Sequence, residues 1–426
     1  MKNTGTSDIQ NYRLVISHYL ASAICFVILA VMLFFSASDL SGHYFHPHLL
    51  AITHLAALGW GTLVIFGAAY QLIPVVFETN LPGKILPWLS FFFFLGGLVL
   101  LVFSFWIFDP GIYMQTGSLF LLAGITMFCL TVFLTAQYNK KKATIQQEYI
   151  ITSCLWLLIT SVMGVLLVFN FQYAFIPTDH LQFLKLHAHA GIAGWFLLLI
   201  VGVSSKLIPM FLVSRRHENK LLSWCYYLVN TALILFLVDT YFEGLNTKTY
   251  AIATIMILGI AAYVAYVFLC FKSRLKRPID LPIFNTILSL GLLLTALFVT
   301  PFILRFYLHT DPFSIKLTTL YGTLVLMGWV SALILGQAFK TLPFIVWVKK
   351  YEHLAGKQKI PLPSELYKKS LLKGQTVAFS GFCLAFYSGY LVHSELLLRG
   401  GLLLLIITSL MYTGNLVFTL FHPSKH

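Results

Sequence analysis

A chain of 426 residues that is 59% hydrophobic and only 10% charged, with a mean hydropathy of +0.85, is not an ordinary soluble globule, where about a quarter of residues carry charge. It reads instead as an all-α polytopic membrane protein. The net charge of +14 needs no nucleic acid to explain it, because a basic inner face against an anionic leaflet is sufficient.

Apolar runs of roughly 20 residues, the length that crosses about 30 Å of hydrocarbon as helix, recur twelve times in the chain. They fall at about 14–36, 49–77, 85–108, 112–137, 149–173, 185–213, 221–243, 249–272, 280–306, 315–347, 370–392 and 397–421. Such long unbroken runs predict helices and not the short alternating strands of a barrel. The first run lacks a small-residue cleavage site and leads into more of the same, which makes it a helix and not a secretion signal.

Basic residues gather on one side of these runs. With a cytoplasmic N-terminus, Lys2, Arg13, Lys84, Lys140–Lys142, Arg215, Arg216, Lys220, the groups at 272–277 and 349–373, and Lys425 fall inside, against Lys185, Lys248, Arg305, Lys316 and Arg399 outside. The positive-inside rule then predicts an integral protein of the cell (inner) membrane with both termini cytoplasmic. Connections are short, so residues 1–426 read as one transmembrane domain in contact with the lipid bilayer. The longest connection, about 348–369, is basic, carries Pro361 and Pro363, and predicts a solvated loop. Cys25, Cys129, Cys154, Cys225, Cys270 and Cys383 all lie within runs and form no CxxC pair, which predicts small apolar packing residues.

An internal repeat organises the chain. GWGTLVIFGAAYQLIP (59–74), GWFLLLIVGVSSKLIP (194–209) and GWVSALILGQAFKTLP (328–343) align without a gap. Each has Gly-Trp at its start, a second glycine (Gly67, Gly202, Gly336), a Gln or Lys (Gln71, Lys206, Lys340) and a proline (Pro74, Pro209, Pro343). The spacing predicts three pseudo-repeated four-helix units, about 14–137, 149–272 and 280–421. The glycines suit close helix approach and the prolines a kink. Gln71, Lys206 and Lys340 lie within about three turns of the inner end, where snorkelling or structural pairing competes with a proton or ion pathway.

Five residues before each Gly-Trp stand His54, His189 and Thr323. His54 falls roughly 7 to 8 Å inside its run, and a histidine at that depth needs a cofactor, a proton path or an interhelical hydrogen bond. His187 aligns with Ile52 and Tyr321 and so has no counterpart. Residues i and i+2 on a helix point about 200° apart, so His187 and His189 cannot easily chelate one ion. Either one ring is a ligand while the other packs or meets the aqueous boundary, or each reaches a different site; the repeat favours His189 as the ligand. Neutral imidazole in an apolar bundle suits haem iron and, next, copper, whereas zinc would ask for four convergent ligands. GHYFHPH, just ahead of the second run, holds His43, His46 and His48, a set suited to collecting copper at the outer surface.

Twelve helices in three groups of four, with histidines near the outer ends of the second and sixth, resemble subunit I of the haem-copper oxidases, the superfamily of cytochrome c oxidase and nitric oxide reductase. HLAALGWGTLVIFGAAYQLIP and HAHAGIAGWFLLLIVGVSSKLIP are most similar to diverged oxidase-like proteins nearest the C-family oxidases. The resemblance covers the chain in architecture and specific residues in the second, sixth and tenth helices only. It implies that His54 matches a low-spin haem ligand and that the sixth helix matches the one supplying a single copper ligand. The family's tenth helix carries an HxH that ligates both haems, where this chain has Tyr321, Gly322 and Thr323. The family's seventh helix adds copper ligands, yet 221–243 holds no histidine. The resemblance thus implies an oxidoreductase-like scaffold without the oxygen-reducing centre. By its threefold pseudosymmetry it further implies a haem ligated by His54 and either His189 or His187. A b-type haem is expected because there is no CxxCH for covalent attachment.

Three functions fit these features. One is a haem-binding protein of electron transfer or nitric oxide and oxygen handling, partnered by an electron donor. Another is a transporter of copper or another small solute, with outer histidines at the entry and Lys206 and Lys340 near the exit. The third is a non-catalytic partner in assembly, docking other respiratory membrane subunits.

Overall fold

Lipid offers no partner for a backbone amide, so a membrane chain must close its hydrogen bonds within each segment. The computed structural model describes residues 12–139, 141–214 and 219–422, and these form helices with no strand among them. Lys2, Lys140, Arg215, Arg216 and Lys425, counted on the inner side above, lie outside the described residues. In chain order the long helices are α1 (Tyr12–Phe35), α2 (Pro47–Phe77), α3 (Ile85–Ile107), α4 (Ile112–Tyr138), α5 (Ile145–Tyr173) and α6 (His180–Leu212). Then follow α7 (Asn219–Glu243), α8 (Lys248–Lys272), α9 (Leu281–Leu308), α10 (Phe313–Leu354), α11 (Lys369–Leu391) and α12 (Glu395–Leu420). Eleven of them are long and apolar enough to cross a membrane by length and composition, and the protein is an all-α polytopic membrane protein. The helix outside that set is α11, whose first two turns carry Lys369, Lys373 and Gln375.

Burial separates the three repeat helices from the others. In their most apolar stretches α2, α6 and α10 are 72%, 72% and 78% buried, against 28% to 56% for the remaining spans. Large apolar side chains such as Phe92, Val99, Phe242 and Phe298 stand exposed on these other helices, as contact with lipid requires.

Two compact units can be described. Among the described residues, one takes those up to Leu72, Asp280–Ala296 and those from Thr318; the other takes those of Ile73–Ile279 and Leu297–Leu317. In the first unit Trp60 of α2 is fully buried, stacks on Phe26 of α1 at 4.1 Å, and donates its Nε1–H to Ser331 Oγ of α10 at 3.0 Å. Gly336 lets α10 approach the start of α9 so closely that an added Cβ would stand 2.5 Å from the Pro282 carbonyl oxygen. In the second unit Trp195 of α6 lies edge-on to Phe128 of α4. A Cβ on Gly194 or Gly202 would meet Trp156 or Tyr149 of α5 at 2.5 Å. In both units, then, the repeat glycines press their helix against the one preceding it in the chain.

All six cysteines are buried with free thiols. The segment 348–369 departs from the expected solvated loop. Helix α10 runs on through Leu354, and the rest folds back: Trp347 Nε1–H donates to the Pro361 carbonyl at 2.7 Å, and the buried Asn415 side chain bonds both the N–H and the C=O of Lys368. Leu366 is buried, so an apolar contact anchors the connection.

Candidate functional site

The three repeat helices share a local distortion. Each changes from α-helical to π-helical hydrogen bonding directly after the aligned position: Leu55–Thr62 follows His54, Ala190–Leu197 follows His189, and Leu324–Val330 follows Thr323. A π turn holds one residue more than an α turn, rotates the residues beyond it by about 100°, and is found frequently at functional sites. Two of the three have a visible local support. Thr62 Oγ1–H donates to the Ala57 carbonyl at 2.9 Å and Ser331 Oγ–H to the Leu326 carbonyl at 2.9 Å, in each instance five residues back. Leu197 takes the equivalent place in α6. The helices continue through Pro74, Pro209 and Pro343.

His54 and His189 are held in the same way. The His54 Nδ1–H donates to the Leu50 carbonyl at 2.8 Å and the His189 Nδ1–H to the Lys185 carbonyl at 2.8 Å. A carbonyl can only accept, so the hydrogen is on Nδ1 and the ring lone pair is on Nε2. Metal-ligating histidines commonly have this arrangement, with one nitrogen fixed by a carbonyl and the other bearing the lone pair. His18 and His309 make the same contact with Leu14 and Arg305, so it is the π segment that singles out His54 and His189.

His187 and His189 serve different neighbours. His187 Nδ1–H donates to the Thr160 carbonyl of α5 at 2.9 Å, and a Cβ added to Gly164 would stand 3.0 Å from its Cε1. The His189 ring lies 4.6 Å from that of Phe236 in α7. In α10 the aligned Thr323 has no imidazole to place; its hydroxyl donates to the Leu320 carbonyl, and its own carbonyl accepts from Tyr387 of α11 at 3.1 Å.

The polar residues that the repeat aligns near the other helix ends also differ among themselves. Lys340 is paired with Asp280, just before α9, with 16% and 34% of the two side chains exposed. Lys206 is exposed and close enough to Glu78 to act on it. The Lys141 ammonium bonded to Glu78, helped by Lys206, holds that carboxyl below its ordinary range.

GHYFHPH does not act as one set. His46 and His48 converge with Asp39, but His43 stands apart: its Nδ1 accepts from the Phe45 N–H at 3.1 Å and its ring packs on Tyr44. Asp39 escaped the sequence reading because a carboxylate seven residues from the nearest member joins the set only when the intervening turn folds. His18 escaped it too. It is fully buried in α1, edge-on to Tyr70 of α2, at a position outside the repeat that marks His54 and His189.

No family model matches the chain. It is 27% identical over 293 residues to a protein of Aquifex aeolicus (strain VF5) described as an uncharacterized protein, a match that spans 68% of this chain and 70% of the relative.

Proposed function

We propose that the protein is a haem-binding integral membrane protein of the haem-copper oxidase subunit I type, acting in electron transfer or nitric oxide and oxygen handling and not as a complete terminal oxidase. In this reading its twelve helices are three pseudo-repeated four-helix units with both termini cytoplasmic. The observation that carries it is the register of the three π segments: a distortion begins at the residue after His54, after His189 and after Thr323, the positions that the repeat aligns. The donor chemistry fits haem iron. Each imidazole is fixed through Nδ1 with its lone pair on Nε2, and the cysteines offer no thiolate alternative at the surface.

His54 and His189 are the candidate haem ligands, and His187 is the weaker candidate because the positions aligned with it in the repeat are Ile52 and Tyr321 and no π segment begins directly after it. A haem would supply one-electron redox chemistry or a gas-binding iron. The residues of the chain would fix each ligand's tautomer through the Leu50 and Lys185 carbonyls.

The test is an absorbance spectrum of the reduced, purified protein, repeated after adding pyridine. A Soret band with a b-type pyridine spectrum, lost in His54→Ala and in His189→Ala, is the expected result. A colourless protein that carries copper across the membrane of reconstituted vesicles would favour transport instead, and a colourless one that does not would leave a role in respiratory-complex assembly.

A further inference from the structure

We propose that Asp39, His46 and His48 form a binding site for one divalent transition-metal ion at the connection between α1 and α2. The site is independent of the haem reading.

The three residues come from two elements that are each held in place. Asp39 lies in a short 3-10 helix, Ala37–Ser41, whose Ala37 and Leu40 are buried and whose Leu40 carbonyl accepts from Tyr390 of α11 at 3.4 Å. His46 is the residue before α2, Pro47 opens the helix, and His48 follows within its first turn. The fixed φ of Pro47 suits the first helical position and aims both histidines back at the 3-10 helix. His48 Nδ1 stands 2.8 Å from Asp39 Oδ2 and His46 Nδ1 3.8 Å from the same oxygen. One donor atom from each of the three residues lies within 4.8 Å of the other two. An ion bound at about 2.0 to 2.2 Å holds its ligand atoms roughly 3 to 3.5 Å apart, so small side-chain rotations complete the set.

His46 supplies the second line of argument. Its side chain is 41% exposed, yet Nδ1 is shielded from solvent and makes no hydrogen bond. The carboxylate oxygen at 3.8 Å is too far to accept one. A buried ring nitrogen in that state carries a desolvation penalty, and a cation between it and Asp39 would remove it.

Two imidazoles and one carboxylate are borderline donors. They suit Cu(II), Zn(II) or Ni(II), whereas Mg(II) and Ca(II) ask for oxygen. Side-chain exposures of 41%, 36% and 22% for His46, His48 and Asp39 give an ion direct access from solvent and leave coordination positions for water. The N-terminal end of α2 has partial positive charge that opposes a cation. The Asp39 carboxylate offsets it, which makes Asp39 indispensable and not an accessory.

The experiment uses the full chain purified in detergent, loaded with copper(II) or zinc(II) chloride, desalted and assayed for metal per chain. The wild type and His43→Ala retain one ion, and Asp39→Asn, His46→Ala and His48→Ala each lower the affinity at least about tenfold. Paramagnetic resonance of the copper-loaded wild type shows coupling to two nitrogens, a readout that needs no variant to fold. Retention by the three variants equal to that of the wild type, loss in His43→Ala as large as in His46→Ala, or a copper spectrum without coupled nitrogens overturns the proposal. Soret absorbance has no part in the result, so the haem reading stands or falls separately.

Discussion

Neighbouring histidines in HAHAG take different work because one residue of separation turns a helical side chain by about 100°, and two turn it by about 200°. His187 bonds a carbonyl of α5 while His189 packs on Phe236 of α7. This part of the site was legible in sequence, since helical geometry alone separates the rings. Which helix receives each ring was not, because rotation about the helix axis is set by packing. On this geometry His187→Ala leaves the Soret band in place where His189→Ala removes it, and lowers stability by about 1 kcal/mol through the lost hydrogen bond. Spectra and thermal melting of the same detergent samples test both halves. The Lys340–Asp280 pair makes the same point: the lysine was visible in the repeat, but its partner lies sixty residues away in sequence and only folding shows it.

The repeat helices owe their close approach to glycine, and two of their three π segments carry a hydroxyl bonded five residues back. Gly336 sits 2.5 Å, as Cβ, from a backbone carbonyl that cannot swing aside as a side-chain tip would. Gly336→Ala should therefore destabilise by about 1 to 3 kcal/mol through overpacking, seen as a lower melting temperature in detergent, whereas Gly291→Ala, where nothing lies within 4 Å, should not. Ser331 accepts from Trp60 and donates to the Leu326 carbonyl while fully buried. Ser331→Ala strands a buried indole N–H and is expected to cost about 1 to 3 kcal/mol, with a shift of the Trp fluorescence maximum as a second readout. A melting temperature unchanged by Ser331→Ala would remove the hydroxyl from the account of the π segment. Glycine pairs are readable from spacing because close approach needs them. The i→i+5 turns are not, since the same residues would form an ordinary α-helix, and the choice rests on which tertiary contacts each turn makes.

At the scale of the molecule, the three most buried of the candidate spans are those that carry the repeat, and most of the exposed large apolar side chains lie on the others. The proposed orientation places the turn after α4 and the α10–α11 connection inside and the α7–α8 turn outside. Cytoplasm-active reporters fused after Tyr138 or at the C-terminus should be active, and an export-dependent reporter fused after Glu243 should be active as well; the opposite pattern reverses the topology. Composition and run length were enough to determine an all-helical membrane protein, because hydrocarbon leaves a long apolar segment no other way to satisfy its backbone. The positions of the repeat and of its two histidines were also set by sequence, since periodic spacing survives without knowledge of contacts. Only the tertiary structure decided that three π turns share one register and that Asp39, not His43, joins His46 and His48. Both depend on atoms distant in the chain meeting within a few ångströms, which no local pattern encodes.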